Sequence, residues 1–204
     1  MQEATTDIRQ HDQETILTGI FASRSRVVVL RVFMLDPLRA YYQRQLEHAT
    51  GLPIRAVQRE LERLTSVGLL YRRVEGNRSY CQVDMEFPLF DELRSMILKT
   101  GSPEERLRGQ LAIDESVQLA LLREEDKRVL VVTSGGKRPT LAGLDEFTVE
   151  TMNVDAFTRA LSEAPETLAP YLAQGVDLLG RRDGVLWRRI EAAGYIVQRG
   201  KGVP

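Results

Sequence analysis

Six residues between positions 55 and 78 carry side chains that could recognise a polyanion. Arg55, Gln58 and Arg59 are spaced so that they share one face if the segment is helical. Arg72, Arg73 and Arg78 flank a Gly-Asn pair further along the chain. The fork-shaped guanidinium group suits phosphate oxygens and base edges, and a carboxamide also reaches base edges.

Positive charge is concentrated around these residues. Residues 23–83 contain eleven arginines and five acids, a net charge of +6, although the 204-residue chain has a net charge of only −1. Residues 1–22 carry −3 and residues 84–204 carry −4. A basic block in a nearly neutral chain indicates a polyanionic partner for one domain.

Three helices are predicted in and before the basic block. An apolar stretch over residues 27–35 stops at Asp36-Pro37, a second helix runs over residues 43–49, and a third begins near Pro53 and ends at Gly68. The third helix has an apolar stripe at three- and four-residue spacing. Its members are Ile54, Val57, Leu61, Leu64 and Val67.

Two strand-like runs follow, Leu69 to Glu75 and Arg78 to Val83, and Gly76-Asn77 is suited to a tight hairpin turn between them. This order of elements is typical of a winged helix-turn-helix, with the third helix in the major groove of DNA and the hairpin on the adjacent backbone. Any single exposed arginine is more often only solvated. The combination of charge, helix spacing and hairpin favours DNA binding.

Composition excludes several other classes. With one cysteine, Cys81, the chain cannot form an internal disulfide, and two histidines do not complete a zinc-ligand cluster. We expect Cys81 to be a packed residue of the second hairpin strand. No apolar run is long enough to cross a bilayer, and the polar, acid-containing N-terminus lacks the character of a signal peptide. The sequence predicts a cytoplasmic protein without a membrane partner.

The sequence resembles the bacterial and archaeal ArsR-like winged helix regulators, in particular those fused to a minimal nucleotidyltransferase-like domain. The residues that carry the resemblance are Phe21–Arg26, Val28–Leu30, Thr50–Pro53, Arg55–Leu61, Gly68–Leu70 and Glu75–Arg78. It covers about residues 20–99. It implies that the third helix and wing bind double-stranded operator DNA, usually as a homodimer. By resemblance the contact residues are Arg55, Gln58, Arg59, Arg73, Asn77 and Arg78.

Beyond Thr100 the likeness is fainter. Runs over residues 117–122 and 128–133 are predicted as buried strands, and Phe147, Val149 and Thr151 alternate as a third strand would. Helices are predicted from Glu104 to Ala112, from Asp155, from Pro165 to Gln174 and from about Asp183 to Ala193, with a short strand-like run over residues 176–179. This succession is similar to the fused nucleotidyltransferase domain.

The catalytic residues of such enzymes are missing from the sequence. Enzymes of that family place a Gly-Ser pair after the first strand and, shortly after it, two metal-binding aspartates at D-x-D spacing. No D-x-D pair occurs in this sequence, and Gly101-Ser102 follows a predicted helix rather than a strand. The chain passes from the first predicted strand through Glu124-Glu125-Asp126 directly into the next. We therefore predict a noncatalytic domain with no catalytic residues, no metal ligands and no cofactor, in a protein that is not an enzyme.

The predicted fold class is α+β with four segments. Residues 1–19 are a flexible N-terminal segment, 20–84 a winged helix DNA-binding domain, 85–103 a linker helix and 104–200 a noncatalytic nucleotidyltransferase-like α/β domain. The linker helix has an apolar stripe that could dock on the neighbouring domain or on its twin in a dimer. That stripe consists of Phe87, Phe90, Leu93, Met96 and Ile97.

These features predict a homodimeric, sequence-specific transcriptional regulator whose C-terminal domain serves oligomerisation or sensing. Two alternatives stay open. One is an antitoxin-like interaction protein, which would bind another polypeptide through its C-terminal domain while its winged domain represses their shared operon. The other is an active nucleotidyltransferase whose acidic residues have moved to other positions.

Overall fold

The structure, a computed structural model, describes residues 15–182 and 184–204. Its architecture is mixed α+β, and the chain divides into two compact units. One unit takes the described residues up to Gly109 together with Pro204, and the other spans Gln110–Val203. The predicted flexible segment 1–19 lies mostly outside the described residues, and residues 15–21 are helical. No helix in the described part of the chain is both long and apolar enough for a bilayer crossing.

The first unit alternates helices with a small antiparallel sheet. After the helix over residues 15–21, its elements are α1 (Arg24–Leu35), β1 (Tyr41–Tyr42), α2 (Gln43–Thr50), α3 (Ile54–Ser66), β2 (Leu70–Glu75), β3 (Arg78–Val83), α4 (Phe90–Lys99) and α5 (Pro103–Ala112), whose last turn passes the unit boundary. The strand order is β1-β3-β2. The three predicted helices and both hairpin strands are confirmed to within a few residues.

Local chemistry explains where α1 begins and ends. The Ser23 hydroxyl accepts a hydrogen bond from the Arg26 backbone N–H at 3.2 Å, which satisfies one of the free donors of the first turn. The helix ends at Leu35 because the next two residues are Asp36-Pro37. Between these ends most side chains are buried, so α1 is the central helix of this unit.

A short turn separates α2 from α3. Gly51 adopts φ +65 and donates its N–H to the Glu47 carbonyl at 2.9 Å, a left-handed helix end that favours glycine. Pro53 then precedes the first turn of α3. The predicted apolar stripe of α3 is buried at Val57, Leu61 and Leu64, whereas Val67 is exposed. One face of α3 therefore lies in the core and the other faces outward.

The hairpin pairs β2 with β3 in the register Leu70↔Val83 to Glu75↔Arg78. Gly76 adopts φ +57 in the two-residue turn, a conformation that most other side chains disfavour. The additional strand β1 was not predicted. It places Tyr41 opposite Cys81, and the Tyr41 ring packs edge-on against Phe33 with centroids 5.6 Å apart.

The second unit is a five-stranded mixed sheet with helices packed against it. Its elements are β4 (Val117–Arg123), β5 (Arg128–Thr133), β6 (Thr148–Asn153), α6 (Val154–Glu163), α7 (Pro165–Gln174), β7 (Val176–Asp177), α8 (Val185–Ala192) and β8 (Gln198–Arg199). The strand order is β6-β5-β4-β7-β8, with β5 antiparallel to β4 and parallel to β6. Predicted strands and helices are confirmed here, although Asp183 lies outside the described residues and β8 was not predicted.

Cys81 faces the core from β3 and is 3 % exposed. Burial raises the pKa of its thiol, and the neighbouring Arg72 guanidinium lowers that pKa by a smaller amount. Because the thiolate is the reacting species, we expect a thiol reagent at pH 8 to label the native protein about 100-fold more slowly than the protein in urea. The chain has one cysteine, so the absorbance change of a chromogenic thiol reagent reports the labelling of Cys81 alone. Equal rates in buffer and in urea would contradict the packing described here.

Candidate nucleic-acid interface

The outward face of α3 presents the side chains singled out in the sequence. Arg55 and Arg59 are exposed, one helical turn apart, and Gln58 between them is half-buried. They line an open depression at the N-terminal half of the helix, formed by Pro53, Arg55, Ala56, Gln58, Arg59 and Glu62. The structure therefore brings these three predicted residues together on one surface.

The guanidinium groups on this face are available to an external partner. Within residues 15–182 and 184–204, neither Arg55 nor Arg59 takes part in an ion pair or a side-chain hydrogen bond. Each guanidinium offers five N–H donors in a fixed plane. An acceptor with the geometry of a phosphate or a guanine edge could use them without first breaking a contact inside the protein.

Gln58 differs from its two neighbours because its carboxamide already has a partner. Its Nε2 donates to Oε1 of Gln43 at 3.1 Å. Gln43 is the first residue of α2, so this bond connects the two helices on either side of the turn. The exposed face of α3 thus contains two free arginines and one oriented amide.

A buried carboxylate on α3 determines which way this face points. Glu60 is 4 % exposed, and its Oε2 accepts from Nε of Arg26 at 3.0 Å. Its Oε1 accepts from the Ser23 hydroxyl at 3.4 Å and lies 3.6 Å from Nη1 of Arg63. Arg26 also donates from Nη1 to the Phe21 carbonyl at 2.9 Å. The start of α1 is therefore bonded to the middle of α3.

The sequence alone indicates no structural role for Glu60 or Arg26, although both lie in segments that carry the ArsR-like resemblance. The position of Glu60 gave a usable signal, since it is three residues after Val57 and directly before Leu61, at the border of the apolar stripe. A glutamate is almost never fully buried unless it is paired, so its burial at this border requires a partner of opposite charge.

The hairpin arginines are exposed but do not share one surface. Paired residues of a hairpin point to the same side, and Arg72 is paired with the buried Cys81. Arg73 and Arg78 lie on the opposite side of the sheet. Asn77 is exposed in the turn itself. The structure thus brings Arg73 and Arg78 together and separates Arg72 from them.

One hairpin arginine, Arg78, contacts an aromatic ring. The Arg78 guanidinium lies 5.0 Å from the centre of the Tyr42 ring, within the range of a cation–π contact. The Tyr42 ring in turn meets Tyr80 edge-on at 5.7 Å. Arg73 has a different partner, the Glu75 carboxylate, at 3.3 Å. The Tyr42 ring therefore orients the Arg78 guanidinium. Because the ring carries no charge, this contact does not neutralise the arginine.

Burial separates the charges of the basic block by sign. Eight of the eleven arginines between residues 23 and 83 are exposed: Arg24, Arg44, Arg55, Arg59, Arg63, Arg72, Arg73 and Arg78. Among the five acids, Asp36 and Glu60 are buried, and only Glu62 and Glu75 are exposed. Counted over the exposed residues alone, eight arginines against two acids keep the whole +6 of the block on the surface of this region.

Two acidic residues of the second unit, Asp126 and Asp177, bind groups within that unit. Glu124-Glu125-Asp126 lies in the turn closed by the Arg123↔Arg128 pair, and Asp126 forms an ion pair with Arg123 at 3.2 Å. The buried Asp177 accepts from the backbone N–H groups of Leu179 and Gly180 and from Nε of Arg182. In the described part of the chain no group of three or more His, Cys, Asp or Glu could hold a metal ion.

Gly101-Ser102 is a helix cap in this structure. The Ser102 hydroxyl accepts from the Glu105 N–H at 3.2 Å, and the Glu105 carboxylate accepts from the Ser102 N–H at 3.0 Å. This reciprocal pair is a capping box at the start of α5. The same carboxylate also accepts from Nη1 of Arg31 on α1 at 2.7 Å.

No family model matches the chain, and no curated protein or solved structure matches it. The ArsR-like and nucleotidyltransferase-like resemblances remain predictions.

Breaking the Arg26–Glu60 pair should destabilise the first unit. Glu60→Ala leaves the half-buried Arg26 side chain without its carboxylate partner, and we expect a loss of about 2–4 kcal/mol in the free energy of unfolding by urea. The double variant with Arg26→Met should lose less than the sum of the single losses, with a coupling of about 1–3 kcal/mol. Glu62→Ala, on the exposed face, is the control. Additive losses would show that the pair does not hold α3.

Proposed function

We propose that the chain is a sequence-specific DNA-binding transcriptional regulator. Its α3 lies in the major groove and presents Arg55, Gln58 and Arg59 to base edges and phosphates. The observation that carries this proposal is the arrangement of those three side chains on one outward face, while the opposite face of α3 is buried and Glu60 is bonded to α1. A fixed helix with free donors is what base readout requires.

The hairpin is proposed to act as a wing on the flanking backbone. Arg73, Asn77 and Arg78 lie at or near its tip, and Arg78 is directed by the Tyr42 ring. Arg72 extends from the other side of the sheet, where it would reach a different phosphate or remain solvated. Phosphate contacts fix the position of a protein on the duplex, whereas base contacts specify the sequence.

In this proposal the first unit is a winged helix-turn-helix of the ArsR-like kind. The order of α1, α2, a short turn, α3 and a hairpin supports it, as does the glycine-containing turn between α2 and α3. We propose that the protein acts in the cytoplasm as a homodimer on a palindromic operator, because two copies would present two α3 helices to successive major grooves.

The second unit is proposed to be a noncatalytic, nucleotidyltransferase-like domain that serves oligomerisation or sensing. Its succession of strands and helices supports the likeness. Support for the noncatalytic character comes from the closed turn at residues 124–127 and from the capping role of Ser102. The D-x-D pair that would bind nucleotide phosphates through metal ions is missing from the sequence.

Removing the free arginines of α3 should abolish sequence selection. We expect the purified protein to enrich one palindromic site from genomic fragments, and the Arg55→Ala/Arg59→Ala double variant to lose that enrichment. Each lost bidentate contact with guanine costs about 1–3 kcal/mol of discrimination. The matched control is Arg188→Ala/Arg189→Ala, which removes two exposed arginines from α8 of the second unit and changes the net charge equally.

Two results would overturn this assignment of α3. The double variant could enrich the same site as the unmodified protein, or the control could lose enrichment to the same extent. Binding that weakens with salt but never selects a sequence would reduce the basic block to a general electrostatic surface.

The wing arginine Arg78 should affect affinity without affecting sequence preference. Arg78→Ala removes a phosphate contact, so the slope of log K against log salt should become less steep by about one unit. The affinity for all DNA sequences should decrease alike. Arg78→Lys keeps the charge and should keep the slope. Fluorescence anisotropy with the selected site and a scrambled duplex, each at several salt concentrations, measures both quantities. An unchanged slope for Arg78→Ala would exclude Arg78 from the contact.

A further inference from the structure

The carboxamide of Gln58 is held by a residue of another helix. Its Nε2 donates to Oε1 of Gln43 at 3.1 Å, across fifteen residues of sequence. The bond uses one of the two amide hydrogens of Gln58. The second hydrogen and the amide oxygen remain available on the exposed side of α3. Arg55 and Arg59 on the same face have no side-chain partner among the described residues.

We propose that Gln43 is a positioning residue that makes Gln58 a reader of adenine. This inference rests on the proposed function, because it assigns a base to one side chain of α3. Gln43 itself need not touch a base. It acts by accepting one amide hydrogen of Gln58 and so fixing which polar atoms of that amide face outward.

The donor and acceptor pattern of the bases explains the preference. In the major groove adenine offers the N7 acceptor and the N6 amino donor, whereas guanine offers two acceptors, N7 and O6. A free glutamine can turn its amide so that both hydrogens point at guanine. Once Gln43 has taken one hydrogen, Gln58 presents one donor beside one acceptor. That pair matches adenine, and its oxygen would face the O6 of guanine without a hydrogen between them.

The backbone at Gln43 is well anchored. Gln43 opens α2 directly after Tyr42, and Tyr42 is paired with Tyr80 in the sheet. The backbone N–H of Tyr42 donates to the Gln45 side chain at 3.1 Å, which fixes the first turn of α2. The backbone position from which the Gln43 side chain reaches Gln58 is therefore set by the sheet and by the first turn of α2. The Gln58 amide is thus oriented by a residue outside α3.

The test compares matched duplexes that differ at one base pair. Site selection with the unmodified protein and with Gln58→Met first identifies the base pair that depends on Gln58. The affinity ratio for A·T over G·C at that pair is then measured for Gln43→Met, which has no amide acceptor, and for Gln43→Glu, which retains a side-chain acceptor. A thermal unfolding midpoint is recorded for each variant.

We expect the unmodified protein to prefer A·T over G·C at this pair by about tenfold or more, which is the range of one bidentate contact. Gln43→Met should reduce that ratio to within about threefold, while the preferences at the base pairs read by Arg55 and Arg59 stay unchanged. Gln43→Glu should restore the ratio, although its added negative charge weakens binding to all sequences. A merely structural role of Gln43 would not produce a change confined to one base pair.

Failure of the inference differs from failure of the proposed function. If the unmodified protein selects no sequence, the proposed function falls and the inference falls with it. If it selects a site and Gln43→Met keeps the full A·T preference at the Gln58-dependent pair, only the inference is overturned. A guanine preference of the unmodified protein at that pair overturns it as well. Should Gln43→Met lower the unfolding midpoint strongly, Gln43→Asn, which withdraws the acceptor by one methylene, gives the same comparison.

Discussion

The Glu60 carboxylate, removed from water in the middle of α3, constrains the rest of the first unit. A buried charge is tolerated only when it is paired, and Arg26 with Ser23 supplies the pairing from the start of α1. Any rotation of α3 about its axis would separate these groups and leave two charges poorly solvated. Since successive residues of a helix are offset by a fixed angle, holding Glu60 also fixes the direction of Gln58 and Arg59.

Ser23 connects capping with this ion pair. Its hydroxyl oxygen accepts from the Arg26 N–H and its hydroxyl hydrogen is donated to Glu60, so one side chain starts α1 and contacts α3. Helix formation in α1 and orientation of α3 are therefore coupled. The energy of the coupling is modest for each bond, but the bonds share partners, and shared partners make such contacts cooperative.

Elements with a regular spacing of apolar residues could be predicted from the sequence, whereas individual contacts between distant residues could not. The stripe Val57, Leu61 and Leu64 predicts both the length and the buried face of α3, because apolar side chains at that spacing lie on one face of a helix and are buried together. The two-residue strands β1 and β8 are too short to have a period. The burial of Glu60 and the Gln43–Gln58 bond depend on tertiary proximity across 34 and fifteen residues. The separation of Arg72 from Arg73 follows from the pleat once the strand is known.

Affinity and specificity would come from different parts of the proposed interface. Eight exposed arginines, with only Glu62 and Glu75 exposed among the acids of the block, give an attraction to phosphates that does not distinguish sequences. Discrimination must then arise where few atoms are held in fixed geometry. Arg55 and Arg59 offer donors only, so they can select acceptors but cannot identify a donor on a base edge. Gln58 combines a donor and an acceptor on this face, and its bond to Gln43 gives it the defined orientation that such a distinction needs.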